Sequence, residues 1–424
     1  MSKFEILGPC SLSGEIAVVG AKNVALKLIA ASAMIKDKVV LTNVPDILDI
    51  ANMLEILKKN GAKIERNGHN LTIDTTNLTN DDPDPILMEK LRASVVLIGP
   101  YLARFHSVNI PRPGGCSIGT RPIDVHLDAF TQMEVKISHK DSSSKNCDNL
   151  YHFSCDELFG HSVELKFPSC TATENLIMLA ALSSGKTTIS NAAREPQIED
   201  LANFLNTAGA SISGAGTSVI EIIGTEKLHS LTYDIMPDPI EAGTFVCLAV
   251  AANQKMKITN CDPDDLRPFL DKLSEAGANF EIGENYILVE PTTKLKAINF
   301  ETAVYPGFPT DLQAPMGLVL TQAEGESEIT ENIFENRLGY LKELQKMGAS
   351  VEIISQNKAK ITGPTPLRGA DIESLDLRAG ATVLLAGLIA QGKTVIENAE
   401  MIDRGYENIE KRLSALGTNI KRIS

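Results

Sequence analysis

Ile47-Leu48-Asp49-Ile50-Ala51-Asn52-Met53-Leu54-Glu55-Ile56-Leu57-Lys58-Lys59-Asn60-Gly61-Ala62 contains the unit from which the whole chain is built. Ile47, Ile50, Leu54 and Leu57 recur at helical spacing, and Gly61-Ala62 ends the run. Two short strand-like runs follow, Lys63-Ile64-Glu65 and Leu71-Thr72-Ile73, on either side of the turn signal Asn67-Gly68. The same ending recurs at Gly209-Ala210, Gly277-Ala278, Gly348-Ala349 and Gly417-Thr418, at successive intervals of 68, 71 and 69 residues. The interval from Gly61 to Gly209 is 148 residues, which leaves room for one more copy. That copy falls at Phe130-Thr131-Gln132-Met133-Glu134-Val135, where the glycine is lost. Self-similarity at a fixed period marks a repeated supersecondary unit.

A second helix recurs as well, richer in alanine and other small residues. Its copies lie near 21–35, 91–104, 172–183, 240–252, 312–322 and 377–390. Several are followed by a glycine and a β-type run, such as Thr187-Thr188-Ile189-Ser190-Asn191 or Thr394-Val395-Ile396-Glu397-Asn398. The unit is therefore βαβαββ, and six copies of about 70 residues fill the 424-residue chain. The fold class is α/β, in two or three domains, because the chain is too long for one ordinary core.

Composition narrows the function. A net charge of −14 argues against broad nucleic-acid binding, so any anionic ligand needs a local basic patch. No apolar run approaches the ~18 residues of a membrane span. Met1-Ser2-Lys3-Phe4-Glu5 lacks the basic and apolar regions of a signal peptide. The seven cysteines are spread without a Cys-x-x-Cys pair, which predicts reduced thiols in a cytoplasmic protein and no structural zinc. The histidines pair with no ligand at metal spacing, and neither a phosphate loop nor a dinucleotide fingerprint is present, so no metal or cofactor is expected.

The richest single loop is Arg112-Pro113-Gly114-Gly115-Cys116-Ser117-Ile118-Gly119-Thr120-Arg121-Pro122. Its glycines and prolines shape a loop that presents Cys116 between two arginines, where a thiol ionises more readily. The small-residue helices add further cations. Their first turns carry Lys22-Asn23, Arg92-Ala93-Ser94, Thr173-Glu174-Asn175, Glu241-Ala242-Gly243, Asp311-Leu312-Gln313 and Asp376-Leu377-Arg378. Helix N-termini suit anions, and a basic residue there runs against the dipole. Lys22, Arg92 and Arg378 are thus poor choices for stability and good ones for gripping an anion; solvated surface charge is the alternative. Arg121, Arg337 and Arg404 lie in loops and suit bidentate contacts to carboxylate or phosphate. Cys170 and Cys247 fall in small-residue helices as core thiols, and Asp262-Pro263-Asp264-Asp265 reads as a helix-start turn.

Gly20-Ala21-Lys22-Asn23, the segment 114–124, Ala192-Ala193-Arg194-Glu195-Pro196, Phe308-Pro309-Thr310-Asp311-Leu312-Gln313, Phe334-Glu335-Asn336-Arg337, Asp376-Leu377-Arg378-Ala379 and Ile402-Asp403-Arg404-Gly405-Tyr406 together resemble the UDP-N-acetylglucosamine 1-carboxyvinyltransferase family of enolpyruvyl transferases. The resemblance runs nearly end to end, with the motifs in order. It implies two inside-out α/β barrel-like domains, each of three βαβαββ units. One domain would span 22–236 and carry the Cys116 loop; the other would be discontinuous, 1–21 plus 237–424. It implies transfer of the enolpyruvyl group of phosphoenolpyruvate to the 3′-hydroxyl of UDP-N-acetylglucosamine, in peptidoglycan precursor synthesis. These two small molecules would be the partners, with no nucleic acid and no membrane.

By the same resemblance Cys116 would be the proton donor, and the thiol alkylated by the epoxide phosphonate fosfomycin. Asp311 would lie by the sugar hydroxyl, as general base or as a group that positions it. Lys22, Asn23, Arg121 and Arg404 would hold phosphoenolpyruvate, with Arg337 and Arg378 as further members of the cluster. Arg92, Arg121, Pro122, Ile123, Asp124, Val125, Asp311 and Ile333 would line the nucleotide-sugar side, Asn23 adjoining it. The sequence departs from the family at Thr171, where glycine is usual, at Pro239, where arginine is usual, and at Lys27, where proline is usual. The shikimate-pathway enolpyruvyl transferase shares the fold but lacks the Gly-Gly-Cys loop. A non-catalytic UDP-sugar-binding paralogue would need some of the cations, but not Cys116 and Asp311 together.

Overall fold

Two kinds of helix alternate along the chain, and their sequences determine which is buried. The computed structural model describes residues 2–81, 84–111, 119, 123–141 and 148–423. Pro239–Ala252, Gln313–Leu320 and Leu377–Ile389 are apolar on nearly every side and almost wholly buried. A helix of that kind has no wet face to offer and must sit in the middle of a core. Lys22–Ser32, Ile98–Phe105 and Cys170–Ala181 play the same part earlier in the chain. The other set, including Leu48–Lys59, Pro196–Thr207 and Arg267–Glu275, is amphipathic and buries one stripe.

The described residues fall into two compact units. One holds the chain up to Val19 and again from Pro237; the other holds residues 20–111 and 123–236. Each has its own core. Phe245, Phe269 and Tyr340 lie in the first core. Tyr101, Phe130 and Phe204 lie in the second.

The sheets repeat as faithfully as the helices. Glu15–Ala17 runs parallel beside Met256–Thr259, which pairs antiparallel with Tyr286–Glu290, which pairs antiparallel with Asn279–Ile282. Four more sheets have this order: one parallel edge strand, a central strand, then a hairpin pair. The sixth contains Ser107–Pro111, Asp148–Ser154 and Lys136–Asp141 among the described residues. In the last sheet Lys3–Gly8 lies between Gly392–Glu397 and Ile420–Ile423, so the two ends of the chain supply one hairpin's worth of strands. Side chains alternate between the core and solvent, as in the exposed–buried alternation of Val219–Ile223. Lysine–glutamate pairs join neighbouring strands on the wet faces, among them Lys186–Glu221 and Lys360–Glu326, each at 2.7 Å. Helices inside and sheets outside make each unit an inside-out α/β barrel.

The predicted glycine endings have a common conformation. Gly61, Gly209, Gly277, Gly348 and Gly417 have φ of 97°, 104°, 81°, 96° and 95°. This is the left-handed residue that follows many helices, and glycine adopts it without a Cβ penalty. In the copy without glycine, Glu134 takes φ 59° at the end of Asp124–Gln132. Val135 N–H still donates to Phe130 O at 3.0 Å, so the ending survives with a strained residue in it.

Two helix starts differ from expectation. Arg92 and Asp311 sit on 3₁₀ turns, Arg92–Leu97 and Thr310–Leu312, that precede the α-helices. Pro100 and Pro315 explain this. Each stands third in its helix, where a missing N–H costs nothing, so the α-helix can begin no earlier than just before it.

Candidate active site

Cys116, Arg121 and Pro122, with Arg112, lie outside the described residues. The site can be built from the rest, one unit at a time.

In the first unit the structure brings Asp311, Arg337 and Arg378 together. Arg337 Nη2 donates to Asp311 Oδ1 at 2.6 Å. Arg378 donates to Asp311 Oδ2 from Nη2 at 3.1 Å and from Nε at 3.3 Å. Both arginine side chains are only 5% exposed, while Asp311 is 27% exposed, so the carboxylate is the group that reaches outward. Arg378 is fixed from behind. Its backbone N–H and that of Ala379 donate to the cap Asp376 Oδ1, and its Nη1 donates to Tyr406 Oη at 3.1 Å. Tyr406 Oη lies 2.9 Å from Thr244 Oγ1. Burial alone would favour losing the Arg378 proton, but Tyr406, Asp311 and Asp238 outweigh it and hold the guanidinium above its ordinary range. Burial pushes the Tyr406 phenol up against the pull of Arg378.

Arg404 closes the 3₁₀ turn Ala399–Arg404, two residues before Tyr406, and is half-buried. Ile333 is half-buried and donates its N–H to Glu331 Oε1 at 2.9 Å.

In the second unit Lys22 opens the helix Lys22–Ser32, with half-buried Asn23 next to it. Lys22 Nζ lies 2.7 Å from Asp49 Oδ2, both buried. Three of the cations read from the sequence as anion grips are thus paired in this structure: Lys22 by Asp49, and Arg378 and Arg337 by Asp311. Asp49 and Tyr406 are not among the site residues that the sequence suggests. Asp49 is 27 residues from Lys22, and only helix packing makes them neighbours. Arg92 is half-buried at its 3₁₀ turn. Ile123 is buried, Asp124 exposed and Val125 half-buried at the start of Asp124–Gln132.

The three departures from the family have local explanations. Thr171 Oγ1 lies 3.0 Å from His126 Nε2, so the added side chain is held by a ring. Pro239 stands at the first position of its helix behind the cap Asp238, a favoured place for proline. Lys27 Nζ lies 3.6 Å from Glu174 Oε2 in the core. Burial raises the Glu174 carboxyl to about 7, against the opposing charge of Lys27. Among the described residues, no group of three His, Cys, Asp or Glu side chains is placed to hold a metal ion, and no helix is long and apolar enough to cross a membrane.

Residues 6–413 match the EPSP synthase (3-phosphoshikimate 1-carboxyvinyltransferase) family. Within that group the relatives discriminate. The chain is 43% identical over 424 residues to the UDP-N-acetylglucosamine 1-carboxyvinyltransferase of Psychromonas ingrahamii, with 100% of each chain covered. It belongs to the UDP-N-acetylglucosamine 1-carboxyvinyltransferase family. UDP-N-acetylglucosamine 1-carboxyvinyltransferase 2 of Clostridium tetani is 42% identical over 427 residues, again with 100% of each covered. Among solved structures, the enolpyruvyl transferase NikO from Streptomyces tendae superposes with a TM-score of 0.88 at 25% identity, covering 100% of this chain and 99% of that one. EPSP synthase from Acinetobacter baumannii gives 0.74 at 18% identity, with 100% of both covered. The fold is the enolpyruvyl transferase fold.

Proposed function

We propose that the chain transfers the enolpyruvyl group of phosphoenolpyruvate to the 3′-hydroxyl of UDP-N-acetylglucosamine and releases phosphate. The observation that carries this reading is the 42–43% identity, over full length, to enzymes named for that transfer. The carboxylate Asp311, set between two guanidiniums, is chemistry of the kind the reaction needs.

The reaction is an addition followed by an elimination. A proton is delivered to C3 of the enol, and the sugar hydroxyl oxygen bonds to C2 as it loses its own proton. The tetrahedral adduct then loses phosphate from C2 and a proton from C3. In this reading Cys116 delivers the proton, and Asp311 receives or orients the hydroxyl proton. Lys22, Arg121 and Arg404, with Arg337 and Arg378, neutralise the carboxylate and phosphate of phosphoenolpyruvate, and Asn23 adds a neutral hydrogen-bond donor. Arg92, Pro122, Ile123, Asp124, Val125 and Ile333 line the nucleotide sugar. An incoming anion draws positive charge from Arg337 and Arg378 and leaves Asp311 more basic when the hydroxyl arrives. Acid–base groups of this kind contribute roughly 10²–10⁴ in rate, and preorganised cations usually more. The reading places the activity in the cytoplasm, in peptidoglycan precursor synthesis and so in cell growth and division, with Cys116 as the fosfomycin target.

The test is phosphate release from phosphoenolpyruvate by the purified protein. Release that requires UDP-N-acetylglucosamine supports the reading. A folded protein that binds the nucleotide sugar and releases none would make it a non-catalytic paralogue.

A further inference from the structure

Comparison of the internal copies singles out Glu331. In four copies the central strand of the sheet ends on a residue whose carbonyl accepts an N–H from the parallel edge strand. These residues are Thr42, Ser190, Thr259 and Glu397. In each of the four the next residue is asparagine in the left-handed region: Asn43 at φ 58°, Asn191 at 53°, Asn260 at 54° and Asn398 at 56°. Asn43, Asn191 and Asn260 each use Nδ2 to tie down a carbonyl of the edge strand, those of Ile235, Leu165 and Val18. That is a structural device, used repeatedly.

The fifth copy breaks it. Thr330 O accepts from Thr302 N–H at 3.0 Å, as in the sister copies, but the next residue is Glu331, which is not left-handed. The amide tie is made one residue later, by Asn332 Nδ2 to Thr302 O at 3.1 Å. A carboxylate has been interposed while the structural bond is kept. This copy is the one that holds Asp311 and Arg337.

Glu331 is 2% exposed and makes a closed set of contacts. It accepts from the hydroxyls of Thr302 and Thr310 at 2.9–3.0 Å, and from the N–H groups of Ile333 and Phe334 at 2.9 and 3.1 Å. Because Thr310 spends its single proton on Glu331, its oxygen can only accept from elsewhere. It accepts from Arg337 Nη1 at 3.1 Å, and Arg337 Nη2 then reaches Asp311 Oδ1 at 2.6 Å. A neutral amide in place of Glu331 could itself donate to Thr310 and reverse the direction of that hydroxyl.

We propose that Glu331 is a positioning residue for the transfer, acting through Thr310 on Arg337 and so on the orientation of Asp311. The inference rests on the proposed role of Asp311.

The test is a kinetic cycle of Glu331→Gln, Arg337→Ala and the double variant, followed by phosphate release, with thermal unfolding as a control. Glu331→Gln should lower kcat by roughly tenfold or more while KM for each substrate stays within about threefold, because Glu331 itself meets neither substrate. In the Arg337→Ala background the same change should cost no more than about threefold, since its route of action is already gone. Glu331→Asn copies the sister repeats and serves as the second variant; it should fold and be equally slow. A folded Glu331→Gln protein with kcat within threefold of wild type overturns the proposal, as does a full tenfold penalty in the Arg337→Ala background. Loss of fold in both Glu331 variants also overturns it, by making the role purely structural. A wild-type protein that releases no phosphate removes the functional reading, and this inference with it.

Discussion

Arg378→Lys keeps the charge and removes the geometry, which makes it the sharpest probe of the Asp311 cluster. The arginine makes three directed bonds: two to Asp311 Oδ2, at 3.1 and 3.3 Å, and one to Tyr406 Oη at 3.1 Å. A lysine ammonium has no planar fork and recovers one of the three. Bonds to charged groups are each worth about 1.5–3 kcal/mol, so the two lost bonds come to roughly 3–6 kcal/mol. Felt at half strength in the transition state, that is about 1.5–3 kcal/mol, or a fall of roughly 10- to 150-fold in kcat/KM. Tyr406 keeps Thr244 as a partner and the cap at Asp376 is untouched, so the fold should survive. The assay is phosphate release over a range of both substrates, with circular dichroism to confirm folding. A folded Arg378→Lys enzyme within threefold of wild type would show that only the charge matters and that the bonding drawn here is incidental.

The remaining predictions concern stability, thiols and a buried acid. Gly348→Ala should cost about 1 kcal/mol, from φ 96° alone, because the nearest atom to the new Cβ is 3.8 Å away; Gly61→Ala should cost at least about 1 kcal/mol more, because Asn77 O would lie at 2.6 Å. Glu134→Gly should be neutral to stabilising by up to about 1 kcal/mol; urea unfolding followed by circular dichroism checks all three, and equal costs at the two glycines would refute the clash. Fosfomycin should label Cys116, faster with UDP-N-acetylglucosamine present, whereas burial pushes the thiols of Cys155, Cys170, Cys247 and Cys261 up and makes them slow. Peptide mapping that finds another cysteine modified and Cys116 untouched would contradict this. Glu174 holds its proton more tightly folded than unfolded, so its stabilising contribution is full below about 4.5 and is lost as pH rises through about 7. Lys27→Met removes the cation opposing that shift and should move the Glu174 titration upward, read by carbon NMR of its carboxyl; an unmoved midpoint would refute the pairing.

The repeat was legible in the sequence because its signals are local. A glycine after an amphipathic helix needs no tertiary context, and the left-handed conformation at Gly61, Gly209, Gly277, Gly348 and Gly417 is what such a glycine is for. Even the copy at Glu134 could be placed by interval alone. The 3₁₀ starts at Arg92 and Thr310 were less visible, although Pro100 and Pro315 were a usable signal. In the site, the residue types were legible and the pairings were not. Lys22 finds Asp49 and Arg378 finds Asp311 across 27 and 67 residues, and those distances close only when helices pack. Dipole reasoning predicted cations in want of an anion; the fold supplies a carboxylate to Lys22 and to Arg378. Glu331 has a sequence signal of its own: four copies read Thr-Asn, Ser-Asn, Thr-Asn and Glu-Asn at the end of the central strand, whereas this one reads Thr330-Glu331-Asn332.

The placement of Lys3–Gly8 between Gly392–Glu397 and Ile420–Ile423 has a consequence for biosynthesis. During synthesis Lys3–Gly8 has neither of these partners until about 380 further residues have been made. At roughly 5–20 residues per second that wait lasts about 20–80 s. Meanwhile the unit that follows has its own core, while Lys3–Gly8 carries an unsatisfied strand edge. The alternation of Phe4 and Ile6 with Lys3 and Glu5 gives that waiting segment charge on one side only, so its apolar side is a natural place for a chaperone to bind.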